Sequence, residues 1–251
     1  GLGRHRNRHN TILKGPAMTD SYAIQIEQTG GTDVLQRVDI TPRTPNAGEA
    51  LVRMEAVGLN FIDTYFRSGL YPARLPFTPG SAGAGIVEAI GDGVDHIAVG
   101  DRVALMGSGA YTTHFTGTAA TMVALPEEVS AEAGAALLLK GLTAWMLLFE
   151  IRPITAKDTV LIWAPVGGVG SILTPWAAHL GARVIAVTST DEKAAQAKAL
   201  GASDVVVGYD GVADKVRALT AGAGVDVALD SVGKLSAEAS LSSLKQRGWF
   251  L

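Results

Sequence analysis

The sequence predicts an α/β protein with two architectures in series: a mostly β, barrel-like first half and a doubly wound parallel sheet in the second half. Three observations carry this. From Tyr22 to Leu125 short β-like runs are separated by Gly and Pro turn residues. From Thr159 onward apolar strands alternate with helical patterns, the texture of a parallel sheet covered on both faces. Between them, around Ser130, the chain becomes rich in Ala and Leu over a length suited to bridging helices.

In the first half the strand candidates are "YAIQIE", "LQRVDI", "ALVRMEAVGL", "GAGIVEAI", "DRVAL" and "MVAL", and one helical segment, "FIDTYFRSG" from Phe61 to Gly69, interrupts them. The linking stretch "SAEAGAALLLKGLTAWMLLFE" starts with a Ser three residues ahead of Ala133, a helix-start signal, and reads as two apolar blocks broken at Gly141. In the second half "TVLIWA" leads to a helix from about Gly168 to His179. "RVIAVT" leads to one from about Asp191 to Leu200, "DVVVG" to Val212–Thr220 and "DVALDSV" to Ser236–Lys245, and "GWFL" starts a further strand.

Composition narrows the function classes. The chain has 251 residues and 47% hydrophobic content, enough for real cores. Four basic residues (Arg4, Arg6, Arg8, Lys14) and no acid lie in residues 1–17, so the remainder holds 17 basic against 24 acidic groups and offers no footprint for nucleic acid. The sequence has no cysteine, which rules out disulfides and Cys-based zinc sites. The longest apolar segment, Gly134 to Phe149, is 16 residues with Lys140 in its middle, and reads as too short and too charged for a bilayer span. A soluble, cytoplasmic protein is the expectation. Residues 1–17 read as a non-native or disordered leader: an expression remnant, a misplaced start or a transit peptide ahead of Met18.

The stretch "APVGGVG" carries the first chemical signal. Gly167 and Gly170 fall on the second and third glycines of G-x-G-x-x-G, with Pro165 in the first place. The second glycine lets the backbone approach a pyrophosphate, the third lets helix pack on strand, and the helix N-terminus faces the anion. About 20 residues on, where an NAD site needs a carboxylate for the ribose 2′-hydroxyl, stand Thr188, Ser189 and Thr190, followed by Lys193. Lysine and serine suit a 2′-phosphate, which favours NADP. Asp191 and Glu192 are either ribose acids or first-turn residues that complement the helix dipole behind an N-cap at Ser189 or Thr190.

With "GLNFIDTYFRSGLYP" (Gly58 to Pro72), "LLKGLTAWMLL", "EKAAQAKALGA" and "DSVG", the chain from Met18 to Leu251 resembles the zeta-crystallin-type NADPH:quinone oxidoreductases, zinc-free members of the medium-chain dehydrogenase/reductase superfamily. The resemblance implies a GroES-like β-barrel domain over residues 18–130 and a Rossmann NADP-binding domain over residues 131–251, with the nicotinamide between them. It implies that Asn60, Phe61 and Tyr65 line the nicotinamide side, with Asn60 and Tyr65 as catalytic hydrogen-bonding groups. Thr143 would contact the cofactor, Gly167, Gly168 and Val169 would cradle the pyrophosphate, Ser189, Lys193 and Tyr209 would hold the 2′-phosphate, and Ser231 would pass beneath. Read from the residues alone, Tyr65 serves equally as packing, Asn60 as an N-cap, Lys193 as a solvated lysine and Tyr209 as a loop anchor.

The chain departs from the family pattern at Pro165 in place of Ala, at Ala82 in place of Glu, and in stopping at "GWFL", where family members continue through the strands of their homodimer contact and a return segment. The expected activity is hydride transfer from NADPH to a quinone. Alternatives are reduction of a 2-alkenal, enone or enoyl thioester, or a catalytically impaired NADPH-binding fragment or regulatory module. No Ser-His-Asp set or carboxylate pair for hydrolysis and no metal constellation is legible.

Overall fold

The structure, a computed structural model, describes residues 21–251. The leader expected over residues 1–17, and the start at Met18, lie outside the described residues. Strands β1 (Tyr22–Gln25) and β2 (Gln36–Asp39) form an antiparallel ribbon. Strands β3 (Glu49–Gly58), β4 (Ala82–Ile90), β5 (Arg102–Met106), β6 (His114–Thr118) and β7 (Met122–Ala124) form an antiparallel sheet in the order β6-β3-β4-β5-β7. A bridge between Ala23 and Thr112 joins the ribbon to the sheet. Val52, Val87, Val103, Leu105 and Phe115 build the core on one face of the sheet. The strand β6 is absent from the sequence reading: Gly117 interrupts its short pattern, and pairing with β3 holds it in place.

Helix α1 (Phe61–Ser68) lies between β3 and β4. Helix α2 (Ala131–Trp145) begins where expected, with the Ser130 hydroxyl accepting from the Ala133 N–H at 3.1 Å. It does not break at Gly141. The helix continues through a π turn, Met146–Ile151, into 21 unbroken residues of mean hydropathy 1.5, longer than the apolar block read from the sequence and long and apolar enough to cross a membrane. Here, however, Ala131 and Ala135 pack on Ala84 and Ala104 of the antiparallel sheet, while Ala144 and Leu148 join the core of the second sheet. Small residues on both partners let α2 lie close to β4, and these contacts outweigh the roughly 1 kcal/mol that an interior glycine costs.

The second sheet is parallel and five-stranded, in the order β10-β9-β8-β11-β12. Its strands are β8 (Thr159–Trp163), β9 (Arg183–Thr188), β10 (Asp204–Val207), β11 (Val225–Leu229) and β12 (Leu244–Phe250). Between them run α3 (Gly170–His179), α4 (Asp191–Ala199), α5 (Val212–Leu219) and α6 (Ala237–Ser243). The central strands are buried on both sides: Val160 and Ile162 face Leu173 and Ala177, whereas Leu161 and Trp163 face Val212 and Val216. That two-sided burial is why they read as continuous apolar runs. The last helix is shorter than expected because the chain turns extended at Leu244, four residues ahead of the "GWFL" strand signal, and pairs with β11 across an irregularity beside Arg247.

Charges fix the entry to β8. The Asp158 carboxylate accepts from Arg152 at 2.7 Å and from the N–H and hydroxyl of Thr155 at 2.7 and 2.9 Å. The Arg152 hydrogen bond, together with those from Thr155, outweighs burial and holds Asp158 down at about 2. A depressed carboxylate contributes stability that is fully present above the ordinary carboxylate range and is lost as pH falls from about 4 toward 2. Asp158→Asn should therefore lower the unfolding free energy by about 2 kcal/mol at pH 7, with little difference from the parent near pH 2. Urea denaturation at the two pH values checks this.

Candidate active site between the two sheets

The order of the parallel sheet reverses between β8 and β11, which opens a crevice at their C-terminal ends, where doubly wound sheets hold their ligands. The turn after β8 forms one wall. Ala164 adopts left-handed backbone at φ 49° and its carbonyl accepts the Gly167 N–H at 3.0 Å. Gly170 then passes so close that a Cβ there would stand 2.1 Å from the Ala164 carbonyl oxygen. Among the described residues no protein group accepts from the N–H groups of Gly168, Val169 or Gly170. These donors, at the positive end of α3, are suited to an anion. Pro165 is compatible with the turn, since its lost N–H is not needed and its carbonyl accepts from the buried Thr174 hydroxyl at 3.1 Å.

The opposite wall is the loop after β11. Asp230 accepts from the N–H groups of Val232 and Gly233 at 2.9 and 3.0 Å and from the hydroxyls of Ser236 and Ser240 at 2.6 and 2.7 Å. Burial pushes this carboxyl up, but the four hydrogen bonds together win and hold it below its usual range. The loop so fixed places Ser231 with its hydroxyl 3.4 Å from the Trp163 carbonyl, bridging the ends of the two strands.

At the end of β9 the Thr190 hydroxyl caps α4 by accepting the Lys193 N–H at 3.3 Å. Asp191 and Glu192 are exposed in the first turn of that helix, the position in which acids complement its dipole. The Gly208 N–H donates to the Thr188 carbonyl at 2.9 Å and draws the end of β10 alongside. Tyr209 follows, 40% exposed, with its ring edge against Trp163 at 5.4 Å between centroids. Ser189 and Tyr209 thus follow adjacent strand ends on exposed loops, and Lys193 is exposed in the first turn of α4 beside them.

Across the crevice stands α1. Asn60 occupies its N-cap position, but the cap is made by Asp63, whose carboxylate accepts the Asn60 N–H at 3.0 Å; the Asn60 amide donates back to Gly58. Asp63 is buried and also accepts from the Ser81 hydroxyl and, at 3.0 Å, from the Tyr111 hydroxyl. Burial and the adjacent Asp63 charge push the Tyr111 phenol up, so it remains a neutral donor. This hub borders a cleft of about 340 Å³ lined by Leu35, Leu59, Asn60, Phe61, Pro79 and Tyr111, among others. Asn60 and Phe61 therefore line the cleft. Tyr65 does not: it stands a turn behind Phe61 and packs on Tyr71 at 5.3 Å. Thr143 lies on α2, its hydroxyl turned to the Leu139 carbonyl at 2.8 Å.

Three residues of this region escape the sequence reading. Asp63 and Tyr111 are 48 positions apart, and no local spacing links them, although Asn60 and Asp63 show the interval of a capping box. Lys140, noted in the sequence only as a charge inside an apolar run, reaches the Leu59 carbonyl at 3.2 Å and the Ala136 carbonyl at 3.1 Å.

Comparison with known proteins agrees with this geometry. The family profile described as alcohol dehydrogenase GroES-like domain matches residues 46–134, and that of zinc-binding dehydrogenase matches residues 168–251. A quinone oxidoreductase of Salmonella typhimurium is 42% identical over 90% of this chain and 70% of its own length. A 2-haloacrylate reductase of a Burkholderia species is 38% identical over 90% of this chain and 71% of its own. The crystal structure of Escherichia coli quinone oxidoreductase complexed with NADPH superposes with a TM-score of 0.88 at 40% identity, covering 91% of this chain and 72% of that one. Despite one profile's name, the side chains here do not fit a zinc ion: the sequence has no cysteine, and among the described residues no three potential ligands stand together.

Gly170→Ala should abolish dinucleotide binding, or weaken it by at least about tenfold, because the added methyl has no room beside Ala164. Calorimetric titration with NADPH, with circular dichroism to confirm that the variant folds, checks this, and unchanged affinity would remove the turn from the site.

Proposed function

As this chain belongs to the quinone oxidoreductase family of the medium-chain dehydrogenase/reductase superfamily, we propose that it transfers a hydride from NADPH to a quinone without a metal ion. The observation that carries the reading is the convergence, at the reversal point of a parallel sheet, of three unpartnered N–H donors with the loops of Ser189 and Tyr209 and the first turn of α4 that carries Lys193. In this assignment residues 18–130 form the substrate-side domain and residues 131–251 the cofactor domain. Gly167, Gly168 and Val169 hold the pyrophosphate, Ser189, Lys193 and Tyr209 hold the 2′-phosphate, and Thr143 and Ser231 flank the nicotinamide half. The protein is read as soluble and cytoplasmic, with no nucleic-acid or membrane partner, and the homodimer is assigned to the full-length family members, whose chains continue through the strands of that contact.

When bound, NADPH supplies the hydride from its nicotinamide C4. The protein's part is orientation and exclusion of water. Asn60, at the mouth of α1, offers its amide to an acceptor oxygen, and Leu35, Leu59, Phe61 and Pro79 provide an apolar wall for a flat ring. One hydride and one proton convert a quinone to its hydroquinone. The proton comes from solvent, directly or relayed by the Tyr65 hydroxyl, which stands one turn behind the cleft-lining Phe61 and has no protein partner among the described residues.

A second reading, reduction of a conjugated carbonyl such as a 2-alkenal, enone or enoyl thioester, is favoured by the similarity to 2-haloacrylate reductase. The chain spans about 70% of the length of its quinone oxidoreductase relatives, so a fragment or regulatory module that binds NADPH without turnover is a further outcome to test. NADPH oxidation with a 1,4-quinone and with a 2-alkenal, with product identification, separates the three. Faster turnover of the quinone is expected; a saturated aldehyde as the preferred product supports the second reading, and no turnover with either acceptor the third. Asn60→Ala should lower kcat/KM by about tenfold or more, roughly 1.4 kcal/mol of transition-state binding. Tyr65→Phe should lower kcat by a similar factor if its hydroxyl delivers the proton, and unchanged kcat assigns the proton to solvent.

A further inference from the structure

Lys140 reaches from α2 both to the loop ahead of α1 and to the Gly-rich turn after β8. It projects from the third turn of α2, three residues ahead of Thr143 on the same face. Its Nζ donates to the Leu59 carbonyl, in the loop that leads into Asn60, and to the Ala136 carbonyl of its own helix, at 3.2 and 3.1 Å. Its stem crosses to the Gly-rich turn, where a Cβ on Gly168 would come within 2.9 Å of Lys140 Cε and 3.2 Å of Cδ. Gly168 is thus the residue that lets the lysine lie against the phosphate turn.

The ammonium is electrostatically incomplete. Both its partners are neutral carbonyls, and among the described residues no carboxylate pairs with it. Two of its three hydrogens are used, which leaves one for a ligand. An anion beside the Gly168–Gly170 donors would meet this cation from the α2 side, and a charge-assisted hydrogen bond there is about twice as strong as a neutral one.

We propose that Lys140 binds the nicotinamide-side phosphate of NADPH and, through its bond to Leu59, holds that phosphate in register with the loop carrying Asn60. The inference rests on the cofactor reading above and deepens it. The side chain neutralises charge that α3 alone meets only with dipoles. It also sets the distance between the pyrophosphate and the substrate cleft.

The test is calorimetric titration of the whole chain and its Lys140→Met and Lys140→Arg variants with NADPH and with adenosine 2′,5′-bisphosphate. The second ligand keeps the 2′-phosphate but lacks the nicotinamide-side phosphate. Lys140→Met keeps the apolar stem over Gly168 and removes the charge. The expected result is a loss of about tenfold or more in NADPH affinity, less than about twofold for adenosine 2′,5′-bisphosphate, and substantial rescue by arginine. Equal losses for both ligands would make Lys140 a structural brace, and unchanged NADPH affinity would confine it to its carbonyls; either overturns the proposal. A parent chain that binds neither ligand would overturn the cofactor reading itself, and this proposal with it.

Discussion

The carbonyl of Ala164 sets the geometry on which the cofactor crevice depends. It turns inward because Ala164 takes a left-handed backbone, it receives the Gly167 N–H, and it is approached by Gly170 more closely than any side chain would permit. The first turn of α3 is thereby pulled against the end of β8, and the next N–H groups are left pointing into the crevice. Without that approach the helix would start elsewhere and the donors would diverge. The interior beneath is rigid, since Leu161, Ile162 and Trp163 are fully buried, so the turn is held from below as well as from within.

The second wall of the site depends on α2. Its alanines fit onto the small residues of β4 and β5, and its far end enters the core of the parallel sheet, so one helix fixes the separation between α1 and the phosphate turn. On the α1 side the buried Asp63 carboxylate gathers Asn60, Ser81 and Tyr111. Each partner satisfies an oxygen that burial would otherwise leave costly, and together they keep Asn60 at the mouth of the cleft. Cofactor side and substrate side are therefore positioned by different physics, close backbone packing on one and a buried polar hub on the other.

Much of this was legible in the residues. The parallel strands are apolar on both faces because both faces are buried, and the glycines of "APVGGVG" and the capping Ser130 act through backbone geometry that one residue type favours. The sequence-based expectations fail where tertiary contacts override local signals: Gly141 does not interrupt α2, Gly117 does not prevent β6, and α6 yields to β12 because β11 supplies hydrogen bonds to Leu244 and beyond. Within the site, the residues on the loops after β8, β9, β10 and β11 were readable from motif order. The placement of Tyr65 away from the cleft, and the joining of Asp63 to Tyr111 and of Lys140 to Leu59, were not. These pairs lie 48 and 81 positions apart, and only the assembled sheets bring them together.

The central claim is that the crevice is built for a dinucleotide bearing a 2′-phosphate. Titration calorimetry of the whole chain with NADPH and NADH, at equal ionic strength, tests it most directly. The account predicts that NADPH binds at least about tenfold more tightly than NADH, through the charge-assisted contacts open to Lys193 and Ser189. Equal affinity for the two cofactors, or a preference for NADH, would contradict it.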